Sequence, residues 1–339
     1  MNNIAIIGAG GWGTALAAAL GGQGMAVSLW VRSAETYKTI ILKRINETYL
    51  PGVKLPAEVR PTLNLAEALQ GKTLVLLTVP SHGVRSMAVA LRGLIAPNAI
   101  LVCAAKGLEE HTLLRMSEVL KQELPQEFHG RIAVISGPNH AEEVSRGKPA
   151  ATVVASPNRE TALRVQEALT LPFFRVYTNS DLTGVELGGA LKNIFALGAG
   201  IVDGLELGDN TRAALVTRGL VEMARLGAAL GARPRTFTGL SGLGDLYATC
   251  SSPHSRNRAV GLQLARGKIL GEILAGMKMV AEGVATTRAA YTLSRKMGVE
   301  MPITGEIYRV LFEGKAPRAA IEDLMARAMK AEIEDIAFD

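Results

Sequence analysis

The chain has 339 residues, 48% hydrophobic and 20% charged, the balance of a globular protein long enough for two domains, each with its own core. Its net charge is +6, yet Lys and Arg never run together in a block, which argues against a nucleic-acid arm or a polybasic membrane patch and suits an anionic small molecule. Cys103 and Cys250 lie far apart, with neither metal-type spacing nor a disulfide framework, as expected in a reducing cytosol. His82, His111, His129 and His140 have no second ligand at metal spacing, so they read as surface or turn residues and no metal is expected. The N-terminus MNNIAIIGAG lacks the basic region of a signal peptide. No uninterrupted apolar run reaches the roughly 18 residues of a membrane span.

Asn3 to Ile7 has the length and composition of a buried parallel strand. It runs into Gly8-Ala9-Gly10-Gly11-Trp12-Gly13, then a small-residue helix ending at Gly24, then a second strand, AVSLWVR. Strand, GxGxxG, helix and strand in this order form a dinucleotide-binding unit. Gly8 permits the tight turn, Gly10 lets backbone N–H groups approach a pyrophosphate, and Gly13 lets the helix pack close to the strand. An acid after the second strand would select NAD and an Arg would accommodate NADP. Arg32 with Ser33 leans toward NADP, while the nearby Glu35 keeps NAD open.

Further strands are expected at Thr73–Val79, Ala99–Ala105, Arg131–Ile135, Ala150–Ala155 and Phe174–Thr178, with helices between them. That alternation implies a Rossmann-like, parallel, doubly wound sheet, with ligands beyond the carboxyl ends of its strands. Lys106 and the Gly137–Ala141 turn fall there. After Thr183 strand signals stop, so a dinucleotide-binding domain over 1–183 is expected to precede an all-helical substrate domain over 184–339. Helical patterns follow at Leu182–Asp203, Thr211–Leu230, Arg256–Arg266, Thr286–Met297, Gly305–Phe312 and Arg318–Met329. Gly231, Gly267, Gly298 and Gly314 punctuate their ends, and Pro302 and Pro317 open two of the later ones. The acidic tail AEIEDIAFD is expected to fray.

The Leu182–Asp203 segment is apolar or small on nearly every face, as in a helix buried all round, with Lys192 at its middle. No carboxylate lies three or four residues from Lys192. The ammonium must find an acid elsewhere, lose pKa, or snorkel to the surface. Gly188 and Gly189 suggest space kept clear beside the amine. Gly239 to Leu246 is a glycine-rich turn delivering one carboxylate, Asp245. Ser255 is a good N-cap for the helix opened by Arg256, Asn257 and Arg258. Cations there oppose the helix dipole unless an anion binds.

Together the strings GAGGWGTALA, AAKGLE, SGPNHAEEV, ELGGALKNIFALGAGI, GLSGLGDLYATCSSPHSRNR and VAEGVATT resemble the bacterial NAD(P)-dependent glycerol-3-phosphate dehydrogenases, in order and over nearly the whole chain. The resemblance implies reduction of dihydroxyacetone phosphate to sn-glycerol 3-phosphate, which supplies the glycerophospholipid backbone, by a cytoplasmic homodimer. It implies that Gly11, Trp12, Arg32, Ser33 and Ala141 contact the dinucleotide, and that Lys106 lies between cofactor and substrate. Gly137 and Asn139 would touch substrate, although the family usually carries Ser or Thr where Asn139 stands. Lys192 would give and take the proton, with Asp245 beside it. Ser255, Arg256 and Asn257 would hold the phosphate, Arg256 also facing the cofactor, and Val280 and Glu282 would close over the nicotinamide end.

The same two-domain plan serves hydride-transfer enzymes acting on hydroxy acids, ketopantoate or nucleotide sugars. A dinucleotide sensor without turnover would share the first half, but Lys192, Asp245 and Arg256 together speak against it.

Overall fold

The computed structural model describes residues 3–329 and 331–332, so the acidic tail from residue 333 onward lies outside the described residues. The chain forms two compact units, one of Met1–Ala105 with Met116–Leu182, the other of Lys106–Arg115 with Thr183–Asp339.

The first unit is built on an eight-stranded sheet. Its strands in chain order are β1 (Ile4–Ile7), β2 (Val27–Trp30), the short pair β3 (Ile45–Asn46) and β4 (Leu50–Lys54), β5 (Val59–Thr62), β6 (Leu74–Leu77), β7 (Ile100–Cys103), β8 (Ile132–Ser136), β9 (Ala150–Ala155) and β10 (Phe174–Asn179). β3 and β4 pair apart from the main sheet, whose order is β10-β9-β8-β7-β6-β1-β2-β5. From β1 the chain winds outward through β2 to β5, then returns to the other side of β1 as β6. The β1–β6 gap is therefore the switch point at which doubly wound sheets take ligands. β1, β6, β7 and β8 are buried at every position, which explains their unbroken apolar runs.

Two features of the main sheet differ from the sequence expectation. β5, sequence VRPT, was not foreseen, because Pro61 weakens the strand signal; Pro is tolerated there because β5 is an edge strand. The sheet also reverses between β8 and β9, which pair antiparallel, so β9 and β10 run against the other six strands. The reversal brings the start of β9 beside the end of β8, and a Cβ on Gly137 would lie 3.0 Å from Thr152 Cα.

The second unit is helical. Its central helix, Leu182–Gly204, is long and apolar enough to cross a membrane by length and composition, but 94% of its apolar window is buried inside the protein. Leu187, Leu191, Ile194 and Phe195 are fully buried on it and join a core with Met223, Leu226, Phe237 and Leu246. The later helices start earlier than their apolar periodicity suggests: Gly208 rather than Thr211, Glu282 rather than Thr286, and Pro302 rather than Gly305. Gly208, Asp209 and Asn210 are exposed and carry no apolar period, while Pro302 and Glu282 open their helices one turn before the apolar repeat becomes regular. The last helix ends at Met325, short of the expected Met329. Helices Asp245–Ser251 and Leu270–Ala275 were not foreseen, each being too short for a clear period. Gly231, Gly267, Gly298 and Gly314 all have positive φ at the stops assigned to them.

The Pro302–Phe312 helix has no side-chain cap at Met301. Glu222, from helix Gly208–Ala229, takes that role: its carboxylate accepts from Ile303 N at 2.6 Å and from Thr304 N at 3.0 Å.

Candidate active site

In the sheet unit, Gly8 ends β1 with φ +117°, and helix Gly11–Gly21 begins two residues after Ala9 with no side chain capping its first turn. A Cβ on Gly13 would lie 2.0 Å from Gly8 O and 2.5 Å from Thr78 Oγ1, so only glycine lets this helix start so close to the strand ends. A Cβ on Gly10 would meet nothing within 4 Å. Open space thus faces uncapped N–H groups and the positive end of the helix dipole, which fits a dinucleotide pyrophosphate. Trp12 packs tilted against Phe174, ring centroids 6.2 Å apart.

Arg32 is exposed just beyond β2, and Glu35 is exposed in the first turn of helix Ala34–Lys43. Ser33 caps that helix, accepting from Thr36 N at 3.3 Å. Gly137 leaves β8 at φ +151°. Asn139 donates to Ala151 O at 2.9 Å and to Pro138 O at 3.0 Å, which ties its amide into the turn, and Ala141 opens the short helix Ala141–Val144.

In the helical unit the charged candidates converge on one carboxylate. Lys192 is only 6% exposed; its Nζ donates to Asp245 Oδ1 and, at 2.6 Å, to Thr249 Oγ1. Lys106 Nζ donates to Asp245 Oδ2 at 2.6 Å. Asp245 is carried here by a π-helical turn, Leu240–Gly244, that leads directly into its helix. The two glycines on the Lys192 helix had suggested free space beside the amine. At Gly188 that space is filled by backbone: a Cβ there would lie 2.6 Å from Ser241 O, in the turn that delivers Asp245.

Burial lowers the Lys192 pKa most; Asp245 opposes the fall and Lys106 adds to it, leaving the ammonium at about 8. The sequence could not sign this shift; the structure makes it downward. Burial would raise Asp245, but Lys106 and Lys192 beside it hold its carboxyl below the ordinary value. Cys250, one residue past Thr249, is pushed up to about 12, chiefly by burial, and so remains an unreactive thiol.

A second network adjoins this cluster. Asn193 Nδ2 donates to Lys106 O at 3.3 Å, Asn257 Nδ2 donates to Asn193 Oδ1 at 2.8 Å, and Gly283 N donates to Asn257 Oδ1 at 2.9 Å. One chain of amides thus links the Lys106 segment, the Lys192 helix, the Asn257 turn and the helix opened by Glu282. Ser255 caps its helix as expected, accepting from Arg258 N at 3.2 Å. Arg256 is exposed and donates to Val280 O at 2.8 Å. Arg258, by contrast, turns away to Asp203.

Sequence reasoning missed Asn193 and Thr249. Each had a signal: Asn193 is a polar residue beside Lys192 in the otherwise apolar or glycine stretch Leu187–Val202, and Thr249 lies one turn after Asp245, on the same face.

Two family models cover the chain: the N-terminal region of NAD-dependent glycerol-3-phosphate dehydrogenase over residues 3–162, and the C-terminal region over residues 181–322. A glycerol-3-phosphate dehydrogenase [NAD(P)+] of Pelotomaculum thermopropionicum is 53% identical, covering 98% of this chain and 96% of that protein. One of Geobacillus kaustophilus is 51% identical, covering 99% and 98%. The crystal structure of the Coxiella burnetii glycerol-3-phosphate dehydrogenase superposes with a TM-score of 0.90 at 39% identity, covering 96% of this chain and 99% of that one.

Proposed function

The chain belongs to the NAD-dependent glycerol-3-phosphate dehydrogenase family, and on that premise we propose that it reduces dihydroxyacetone phosphate to sn-glycerol 3-phosphate with Lys192 as the proton donor. It is an oxidoreductase that uses NAD or NADP. The observation that carries the mechanistic reading is the buried Lys192 ammonium, held by Asp245 and Thr249 and lowered to about 8.

The reduced nicotinamide, when bound, supplies the hydride for the ketone carbon. Negative charge then develops on the ketone oxygen, and a positioned ammonium can stabilise that charge and hand over its proton. A Lys192 pKa near the working pH makes the ammonium a better acid than an exposed lysine while leaving it protonated often enough to act. Asp245 and Thr249 fix the amine's direction, and Lys106 adds positive charge on the substrate side. Ser255, Arg256 and Asn257 are read as the phosphate site, where a helix N-terminus and an exposed guanidinium converge. Gly137 and Asn139 are read as substrate contacts.

The Gly8–Gly13 turn, with Trp12 and Ala141, is read as the dinucleotide cradle, Arg32 and Ser33 as its adenosine end, and Lys106, Arg256, Val280 and Glu282 as its nicotinamide end. Arg32 favours NADPH over NADH. We further read the protein as a cytoplasmic homodimer whose product supplies glycerophospholipid synthesis.

The direct test is oxidation of NADH and NADPH, followed in parallel by loss of their near-ultraviolet absorbance, with dihydroxyacetone phosphate and with unphosphorylated dihydroxyacetone. Rapid oxidation with the phosphorylated ketone alone is expected, faster with NADPH. No oxidation by protein shown to bind either cofactor would refute the assignment.

A further inference from the structure

We propose that Asp203 is a positioning residue that sets the Ser255–Asn257 turn for the substrate's phosphate; this rests on reading that turn as the phosphate site. Asp203 lies near the end of the Leu182–Gly204 helix, and its side chain is only 8% exposed. Its two oxygens are divided between two arginines from different helices. Oδ1 accepts from Arg212 Nε at 3.1 Å, and Oδ2 accepts from Arg258 Nε. Arg212 is braced in turn by Asp209, at 2.8 Å.

Arg258 stands in the first turn of helix Arg256–Ala265. A cation there opposes the helix dipole and requires a counter-charge. Asp203 supplies it, so Arg258 is drawn away from the turn's open end and Arg256 is left there as the exposed guanidinium. Arg258 also provides the amide that Ser255 caps, so the ion pair and the cap act on one residue.

Beside this clamp the two helices meet backbone to backbone. A Cβ on Gly200 would lie 2.0 Å from Arg258 O, and one on Gly261 would lie 1.9 Å from Leu197 O. Such contacts set the separation of the helices, and the Asp203–Arg258 pair adds a charged clamp beside them. Lys192 lies eleven residues earlier on the same helix, about 16 Å along its axis. A fault at Asp203 therefore reaches the phosphate turn before it reaches the proton donor.

The test compares wild type, Asp203→Asn and Arg258→Met on dihydroxyacetone phosphate and on unphosphorylated dihydroxyacetone. Loss of a charge-assisted clamp should raise KM for the phosphorylated ketone roughly tenfold in Asp203→Asn, and in the same direction in Arg258→Met. kcat and the slow turnover of dihydroxyacetone should stay near wild type. If wild type shows no preference for the phosphorylated ketone, the phosphate reading fails, and this proposal with it. If wild type shows the preference and the variants keep its KM, the Asp203 role alone is overturned. An equal loss of kcat on both substrates, with a lowered melting temperature, also overturns it by making Asp203 a general scaffold residue. Should Asp203→Asn not fold, Arg258→Met decides by the same criterion.

Discussion

Lys106 and Lys192 donate to opposite oxygens of one carboxylate, that of Asp245. Two cations thus share a single anion in a buried setting. Asp245 cannot fully compensate both, which is why burial and the second cation prevail and Lys192 falls to about 8 despite an ion pair. Asp245 by itself pulls the ammonium upward, but burial outweighs that pull and Lys106 adds to the fall.

Replacing Lys192 by Ala should lower kcat by about a hundredfold or more, the range of general acid–base groups. NADPH binding, followed by its fluorescence, should persist, because the Gly8–Gly13 turn belongs to the sheet unit. Near-normal turnover would remove Lys192 from the chemistry.

The pH dependence should have opposite signs in the two directions. Reduction needs the Lys192 ammonium, so its kcat should fall as pH rises through about 8; alcohol oxidation needs the free amine and should rise over the same interval. Lys106 is a cation that lowers Lys192, so Lys106→Met should move both limbs to higher pH. Limbs that stay in place would mean that another group titrates.

Gly13→Ala should abolish dinucleotide binding. The added methyl would sit 2.0 Å from Gly8 O, which forces the helix away from the strand ends. Overpacking of this kind costs about 1–3 kcal/mol. A lower melting temperature and a lost NADPH fluorescence titration are expected together; intact binding would show that the turn tolerates displacement.

Glu222 should impose a pH dependence on stability. Burial, the largest influence, pushes its carboxyl up to about 7 from 4.5, against the pull of the hydrogen bonds from Ile303 and Thr304. Between those values the unfolded chain has released this proton and the folded chain keeps it. The contribution is therefore full below 4.5 and is lost as pH rises toward 7, by on the order of 3 kcal/mol. Urea midpoints of wild type and Glu222→Gln across this window should show the wild-type advantage shrinking with pH. A constant difference would mean that Glu222 does not titrate there.

Much of the fold was legible because its signals are local. The Gly8–Gly13 turn and the buried runs of β1, β6 and β7 declare themselves within a few residues, since parallel strands covered on both faces need uninterrupted apolar side chains. β5 escaped because an edge strand has no such need and can hold Pro61. The reversal at β9 escaped because strand direction is set by pairing, which leaves no periodic mark. Asn193 and Thr249 carried a spacing signal but escaped because their partners, Asn257 and Lys192, come from other helices.

By itself the sequence determined that a cation lies inside an apolar helix, that one carboxylate follows a glycine-rich turn, and that a nucleotide cradle opens the chain. Each of these follows from local composition and spacing. The resemblance set Asp245 beside Lys192, 53 residues away; the tertiary structure alone decided that the two are hydrogen-bonded, that Lys106 takes the same carboxylate's other oxygen, and that Arg258 belongs to Asp203. The downward sign of the Lys192 shift follows from its burial, which outweighs the pairing with Asp245 and is aided by Lys106. Charges interact through space in a medium whose screening depends on burial, and neither distance nor burial is fixed until the helices have packed.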